Sequence, residues 1–121
     1  MTLIASGVCV ANALQAAETL AQEGVSARVL NIHTIKPIDS DAVIKAASET
    51  GALVTAENHN VIGGLGSAVA EVLAEQRPTP LERVGVKDHF GQVGKAPYLM
   101  GVFGITAADI AKAARKAIAR K

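Results

Sequence analysis

The residues best suited to chemistry gather in Glu57-Asn58-His59-Asn60, followed at once by Gly63-Gly64-Leu65-Gly66-Ser67. A carboxylate and an imidazole two residues apart could form a general acid/base pair, yet no nucleophile stands with them. The glycines let backbone N–H groups approach a neighbour closely, and a helix opening after them favours negative charge. The spacing is G-G-x-G, without the later glycine of a dinucleotide fingerprint, and no Gly-Lys-Ser/Thr follows as in a P-loop. Glu57, Asn58, His59, Asn60, Gly63, Gly64, Gly66 and Ser67 therefore read as a tight turn that docks on another protein surface, or as a contact for a phosphate or carboxylate. A second candidate is Asp88-His89-Phe90-Gly91, which opens a glycine-rich stretch reaching Gly104. All three aromatics, Phe90, Tyr98 and Phe103, fall in that stretch, as a contact surface or a second small core. His33, His59 and His89 are scattered without H-x-x-x-H spacing, so no metal site is expected. Cys9 reads as a small buried hydrophobe rather than an activated thiol.

Alternating strand and helix signals must position these residues. Thr2–Ala5 is a short apolar strand that stops at Ser6-Gly7, and Val10, Ala13, Leu14, Ala17 and Leu20 then fall at helical spacing up to Gly24. Ala27–Ile32 reads as a second strand. Asp39 is a good N-cap for the next helix, with Ile38 and Val43 as its hydrophobic staple. Val43, Ile44 and Ala47 form its buried face, and Gly51 ends it. Ala52–Ala56 is the third strand, with the Glu57 cluster just beyond its end, and a third helix carries Leu65, Val69, Val72 and Leu73. Glu82–Val86 is a fourth strand. The stretch 87–104 reads as irregular, with one helical turn around Pro97–Met100. Thr106 caps the last helix, Asp109 sits at N3, and Ile105 and Ile110 make a second staple. Ile110, Ala113, Ala114, Ala117 and Ile118 face inward, and Lys116, Arg120 and Lys121 form a solvated basic end.

This βαβαβαβα pattern predicts a three-layer α/β/α fold on a mainly parallel four-stranded sheet of order 2-1-3-4. The switch point lies between the first and third strands, where ligands of such sheets bind. The 121 residues form one domain, 1–121. They include 23 alanines and 50% hydrophobic residues but 2% aromatics, which suits helices packed closely on a sheet. A net charge of +1 gives no nucleic-acid footprint, and one cysteine forms no internal disulfide. No apolar run is long enough to cross a membrane, so the chain reads as cytoplasmic.

Four stretches taken together resemble the C-terminal domain of transketolase: LIASGVCV, EGVSARVLNIHTIKPID, VTAENHNVIGGLGSAVAEVLAE and KDHFGQVGKAPYLMGVFGITAADI. They span nearly the whole chain and keep their order. IHTIKPID is equally similar to 2-oxoacid dehydrogenase beta subunits and deoxyxylulose phosphate synthase, the alternatives within the same fold family. ENHNVIGGLGSAVAE and HFGQVG favour transketolase. Val8-Cys9 stands where the family often has Ser-Glu. The resemblance implies a domain with no catalytic, cofactor-binding or metal residue of its own. Thiamine diphosphate and a divalent cation, Mg or Ca, would be held by other domains, on which the 57–67 turn docks. It further implies a homo-oligomer, inactivity of the isolated chain, and a missing antiparallel edge strand beside Ala27–Ile32. A stand-alone anion-binding module of flavodoxin-like shape is the reading from another class.

Overall fold

A computed structural model describes residues 1–88, 91 and 93–121; the expectations placed on His89 and Phe90 lie outside the described residues. Strands β1 (Thr2–Ala5), β2 (Arg28–Asn31), β3 (Leu53–Asn60) and β4 (Leu81–Val86) form one parallel sheet of order β2-β1-β3-β4. The sheet order is the one expected from the alternating pattern. Helices α1 (Cys9–Gln22), α2 (Ser40–Thr50) and α3 (Leu65–Gln76) make the crossovers, and α4 (Ala96–Phe103) and α5 (Ala107–Ala119) follow β4.

Two apolar layers hold the sheet. Leu3, Ala5, Val54, Ala56 and Val84 point into one, against Ala13, Ala16 and Leu20 of α1 and Ile110, Ala114 and Ala117 of α5. Ile4 and Leu53 point into the other, against Val43 and Ala47 of α2 and Leu65 and Val69 of α3. The period of two along β3 separates these sets and directs Thr55 and Glu57 to the α3 side. Alanine is prominent on the buried faces of α1, α2 and α5, where small side chains let helix and sheet backbones come close, and these core alanines are essentially fully buried.

The helix starts follow the expected capping chemistry. Asp39 Oδ1 accepts from the Ala42 N–H at 3.1 Å. Thr106 and Asp109 form a reciprocal capping box, and Ile105 and Ile110 are both buried beneath it. Gly24, Gly51 and Gly104 stand at positive φ beyond the ends of their helices.

Four expectations are corrected. First, β3 runs on to Asn60, so Glu57, Asn58, His59 and Asn60 lie within the strand rather than in a turn after it. A register shift against β4 between Ala56 and Asn60 lets this polar segment stay paired. Second, α1 turns Cys9, Ala13, Ala16 and Leu20 inward and leaves Leu14 53% exposed, because positions 9, 13, 16 and 20 share one helical stripe and position 14 lies about 100° round from Ala13. Third, the 87–104 stretch contains a helix of eight residues rather than one turn, opened by Pro97 inside its first turn, where a missing N–H costs nothing. Fourth, the basic end of α5 is not simply solvated: Glu82 Oε1 accepts from Arg120 at 2.6 Å, and Lys116 stands 3.6 Å from Oε2.

Candidate functional site

Glu57 is fully buried at the point where β3 passes under the start of α3. Its two oxygens divide the work: Oε1 accepts from the Leu65 N–H at 2.9 Å and Oε2 from the Gly66 N–H at 2.8 Å. Helix α3 has Gly64 as N-cap and so no side-chain cap of its own. The preceding strand supplies one instead, and the positive end of the helix dipole favours the carboxylate. The G-G-x-G spacing now has a specific cause. A Cβ on Gly64 would lie 1.9 Å from Glu57 Oε1. One on Gly66 would lie 2.8 Å from the Arg83 side chain and 2.9 Å from Thr55 Oγ1. Gly85 of β4 closes the other side, where a Cβ would meet Val61 at 2.8 Å and Glu57 Cγ at 3.1 Å.

The turn between β3 and α3 is latched by side chains. Asn60 Oδ1 accepts from the Ile62 N–H at 2.8 Å, and Asn60 Nδ2 donates to Asp88 at 3.3 Å. Ser67 Oγ donates to the Val61 carbonyl and accepts from the Gly63 N–H, each at 2.9 Å. Asp88 itself stands at φ +57, a left-handed conformation that Asp tolerates better than most residues. Glu57, Asn60, Gly63, Gly64, Gly66, Ser67 and Asp88 are thus brought together as one latch. Gly91 is described but joins no recorded contact with it.

Asn58 and His59 part company with Glu57. They are exposed and line an open cleft of about 510 Å³ with Ser6, Gly7 and His33, at the carboxyl ends of β1, β2 and β3. This is the switch-point crevice expected from the strand order. His33 reaches it from the segment after β2, which its sequence position did not reveal, and its Nδ1 is 2.8 Å from Thr34 Oγ1. Beneath the Ser6-Gly7 turn, Cys9 is fully buried, as expected. Burial pushes its thiol above the usual range, and the nearby Glu57 carboxylate raises it further. Such a thiol is not activated.

An outside anion finds the first two N–H groups of α3 already satisfied by Glu57, so the anion-contact half of the sequence reading meets an internal carboxylate there. The same fact decides whether the residues here fit a diphosphate cofactor: the glycine turn does not. No group of three or more metal-ligating side chains occurs among the described residues. What the turn does present is apolar surface. Ile62 at its tip is 66% exposed, and Val8, after β1 at the same end of the sheet, is 52% exposed. Helix α4, made of Ala-Pro-Tyr-Leu-Met-Gly-Val-Phe, has no buried residue at all, although Phe103 and Met100 lean on the core. Its Tyr98 and Val102 are about half exposed, and Val93 before it is 98% exposed. The sequence left this stretch open between a contact surface and a second small core; Met100 and Phe103 lean on the main core while Tyr98 and Val102 are about half exposed.

The domain is a parallel α/β unit whose glycine turn is filled by its own carboxylate, with Val8 and Ile62 bared near the carboxyl end of the sheet. The chain belongs to the transketolase C-terminal domain family, which matches residues 1–110. It is 56% identical, over its whole length, to the 6-deoxy-6-sulfo-D-fructose transketolase subunit of a Clostridium species, covering 38% of that protein. It is 44% identical, over 93% of its length, to the putative transketolase C-terminal section of Methanocaldococcus jannaschii, covering 35% of it. A 1-deoxy-D-xylulose-5-phosphate synthase of Geobacter sulfurreducens is 42% identical over all of the chain, which covers 19% of that enzyme. Among solved structures, a split-gene transketolase described as an inactive beta4 tetramer matches with TM-score 0.94 and 48% identity, over 98% of this chain and 39% of that one. The chain thus spans under two-fifths of the length of these relatives.

Proposed function

We propose that residues 1–121 form the docking domain of a thiamine diphosphate-dependent transketolase, acting in ketol transfer between sugar phosphates only when joined to thiamine-binding domains. The carrying observation is the Glu57 plug beneath a turn whose tip, Ile62, is bare. A turn satisfied from within has little left for a ligand, and an exposed apolar tip is what a partner surface would cover. The turn, with Asp88 bonded to it through Asn60, is the contact surface for those domains. Thiamine diphosphate and its divalent cation, Mg or Ca, are held elsewhere in the assembly. The domain also supports a homo-oligomer, in keeping with the tetramer named for the split-gene relative. The Clostridium subunit's name, taken with 56% identity, extends the substrate class to ketoses carrying a sulfonate in place of phosphate. No helix among the described residues is long and apolar enough to cross a membrane, which accords with a cytoplasmic setting.

Reconstitution tests this reading. The chain is mixed with a polypeptide supplying the thiamine-binding domains, and ketol transfer from a phosphorylated and a sulfonated ketose is assayed. Activity should appear, or rise, only with the chain present, while calorimetry of the chain alone with thiamine diphosphate and Mg should show no binding. Equal activity and stability without the chain would sink the proposal.

A further inference from the structure

Beside the edge strand β4, a groove of about 400 Å³ runs between that strand, α5 and the end of α4. Its floor is apolar, formed by Val84, Phe103 and Ala113. Its basic lining comes from both sides: Arg83 lies on β4 and Lys87 follows it, and Lys112 and Lys116 stand one turn apart on α5. Two carboxylates border the groove, and both are already engaged. Glu82 is held by Arg120 and Lys116. Asp109 accepts from the Thr106 N–H at 3.0 Å and from Thr106 Oγ1 at 2.6 Å in the cap of α5. Lys87 and Lys112 are exposed and take part in no recorded ion pair among the described residues. A chain of net charge +1 therefore carries a concentrated positive flank here.

We propose that this groove is an interaction surface for an extended acidic segment of a partner polypeptide, with apolar side chains alternating between the acidic ones. The lysines come from two elements, the end of β4 and α5, and Lys87 and Lys112 are exposed rather than buried. A lone phosphate would meet solvent-screened charges worth little individually. An extended segment neutralises several of them at once and fills the apolar floor with its alternate side chains. The Leu81 carbonyl at the start of β4 is already taken by Arg120 at 2.9 Å. Recognition therefore rests on charge and side-chain fit rather than on a full ladder of an added strand. The groove shares Glu82, Arg83 and Lys87 with the neighbouring cleft that holds Ile62 and Asp88, so it continues the surface of the 57–67 turn along the β4–α5 flank.

The test is an NMR titration of the 15N-labelled chain with three probes: a short capped peptide alternating Glu and Val, its Lys and Val counterpart, and inorganic phosphate. The acidic peptide should give saturable shifts at Val84, Lys112 and Ala113, weakening as salt is raised. Charge reversal at Lys87→Glu and Lys112→Glu together should weaken binding roughly 10-fold, more than the sum expected of two ordinary exposed pairs only if both face one ligand. Lys45→Glu on α2 should leave binding unchanged. Thermal melts establish that the variants fold, and Lys112→Gln replaces the double variant if it does not. No saturable shift with the acidic peptide, the same shifts with phosphate or the basic peptide, or equal loss in Lys45→Glu would each overturn the proposal.

Discussion

A methyl group added at Gly64 would have to displace Glu57 from the N–H groups it caps, since the new carbon would lie 1.9 Å from Oε1. Gly64→Ala should therefore destabilise the chain by about 1–3 kcal/mol in urea titration. Gly63 makes a useful contrast. It has open space around its would-be Cβ but φ +83, so Gly63→Ala should cost about 1–2 kcal/mol from backbone strain alone. Glu57→Gln keeps the shape but turns an amide N–H₂ towards a backbone N–H. We expect a loss of about 1–3 kcal/mol, with little change in the circular dichroism of the folded state. At Cys9, the folded state holds the thiol proton more tightly than the unfolded chain does. Stability contributed by that thiol is full at neutral pH and falls as pH rises past its usual value of 9.0. Native Cys9 should accordingly resist thiol reagents until the chain unfolds. The residue types at the site were legible in the sequence, but the job of Glu57 was not. It caps a helix starting eight positions later, and only the strand's reach to Asn60 puts it there.

At the scale of elements, the parts with local chemical signals were the readable ones. β1 spans the same residues, Thr2–Ala5, as its apolar run. The Asp39 and Thr106 caps hold because each side chain serves an N–H three residues on. Thr106→Ala should lower stability by about 1 kcal/mol and fray the start of α5, seen as faster amide exchange at Asp109 and Ile110. What was not readable depended on partners distant in sequence. β3 continues through a polar stretch because β4 pairs with it across a register shift, and α4 is helical with no fully buried side chain to mark its face. The α1–α5 contact is another such case. Arg115 donates to both oxygens of Glu23, at 3.0 and 2.6 Å, and this bonding pulls the Glu23 carboxyl below its usual range. A carboxyl so lowered stabilises the fold at neutral pH and loses that contribution as pH falls through its folded titration range. The stability difference between the native chain and Glu23→Gln should therefore be present at neutral pH and vanish in acid. Both side chains are solvent-exposed, so the difference will be small.

For the whole molecule, two features lie together. The core is closed by alanine-lined helices on both faces of the sheet, while Val8, Ile62, Val93, Tyr98 and Val102 remain in water, each in a segment that follows a strand's carboxyl end. Under the docking proposal, Ile62 at the tip of the glycine turn belongs to the surface that the thiamine-binding domains cover. Ile62→Asp should leave the melting curve of the chain within about 0.5 kcal/mol of the native one, since Ile62 is 66% exposed. The same change should act strongly on assembly. The most direct measurement is the dissociation constant between this chain and a polypeptide supplying the thiamine-binding domains, by sedimentation, for the native chain, Ile62→Asp and Lys45→Gln. Docking through the plugged turn predicts roughly 10-fold or greater weakening, about 1.4 kcal/mol, for Ile62→Asp and none for Lys45→Gln. An Ile62→Asp chain that associates as tightly as the native one would contradict the account.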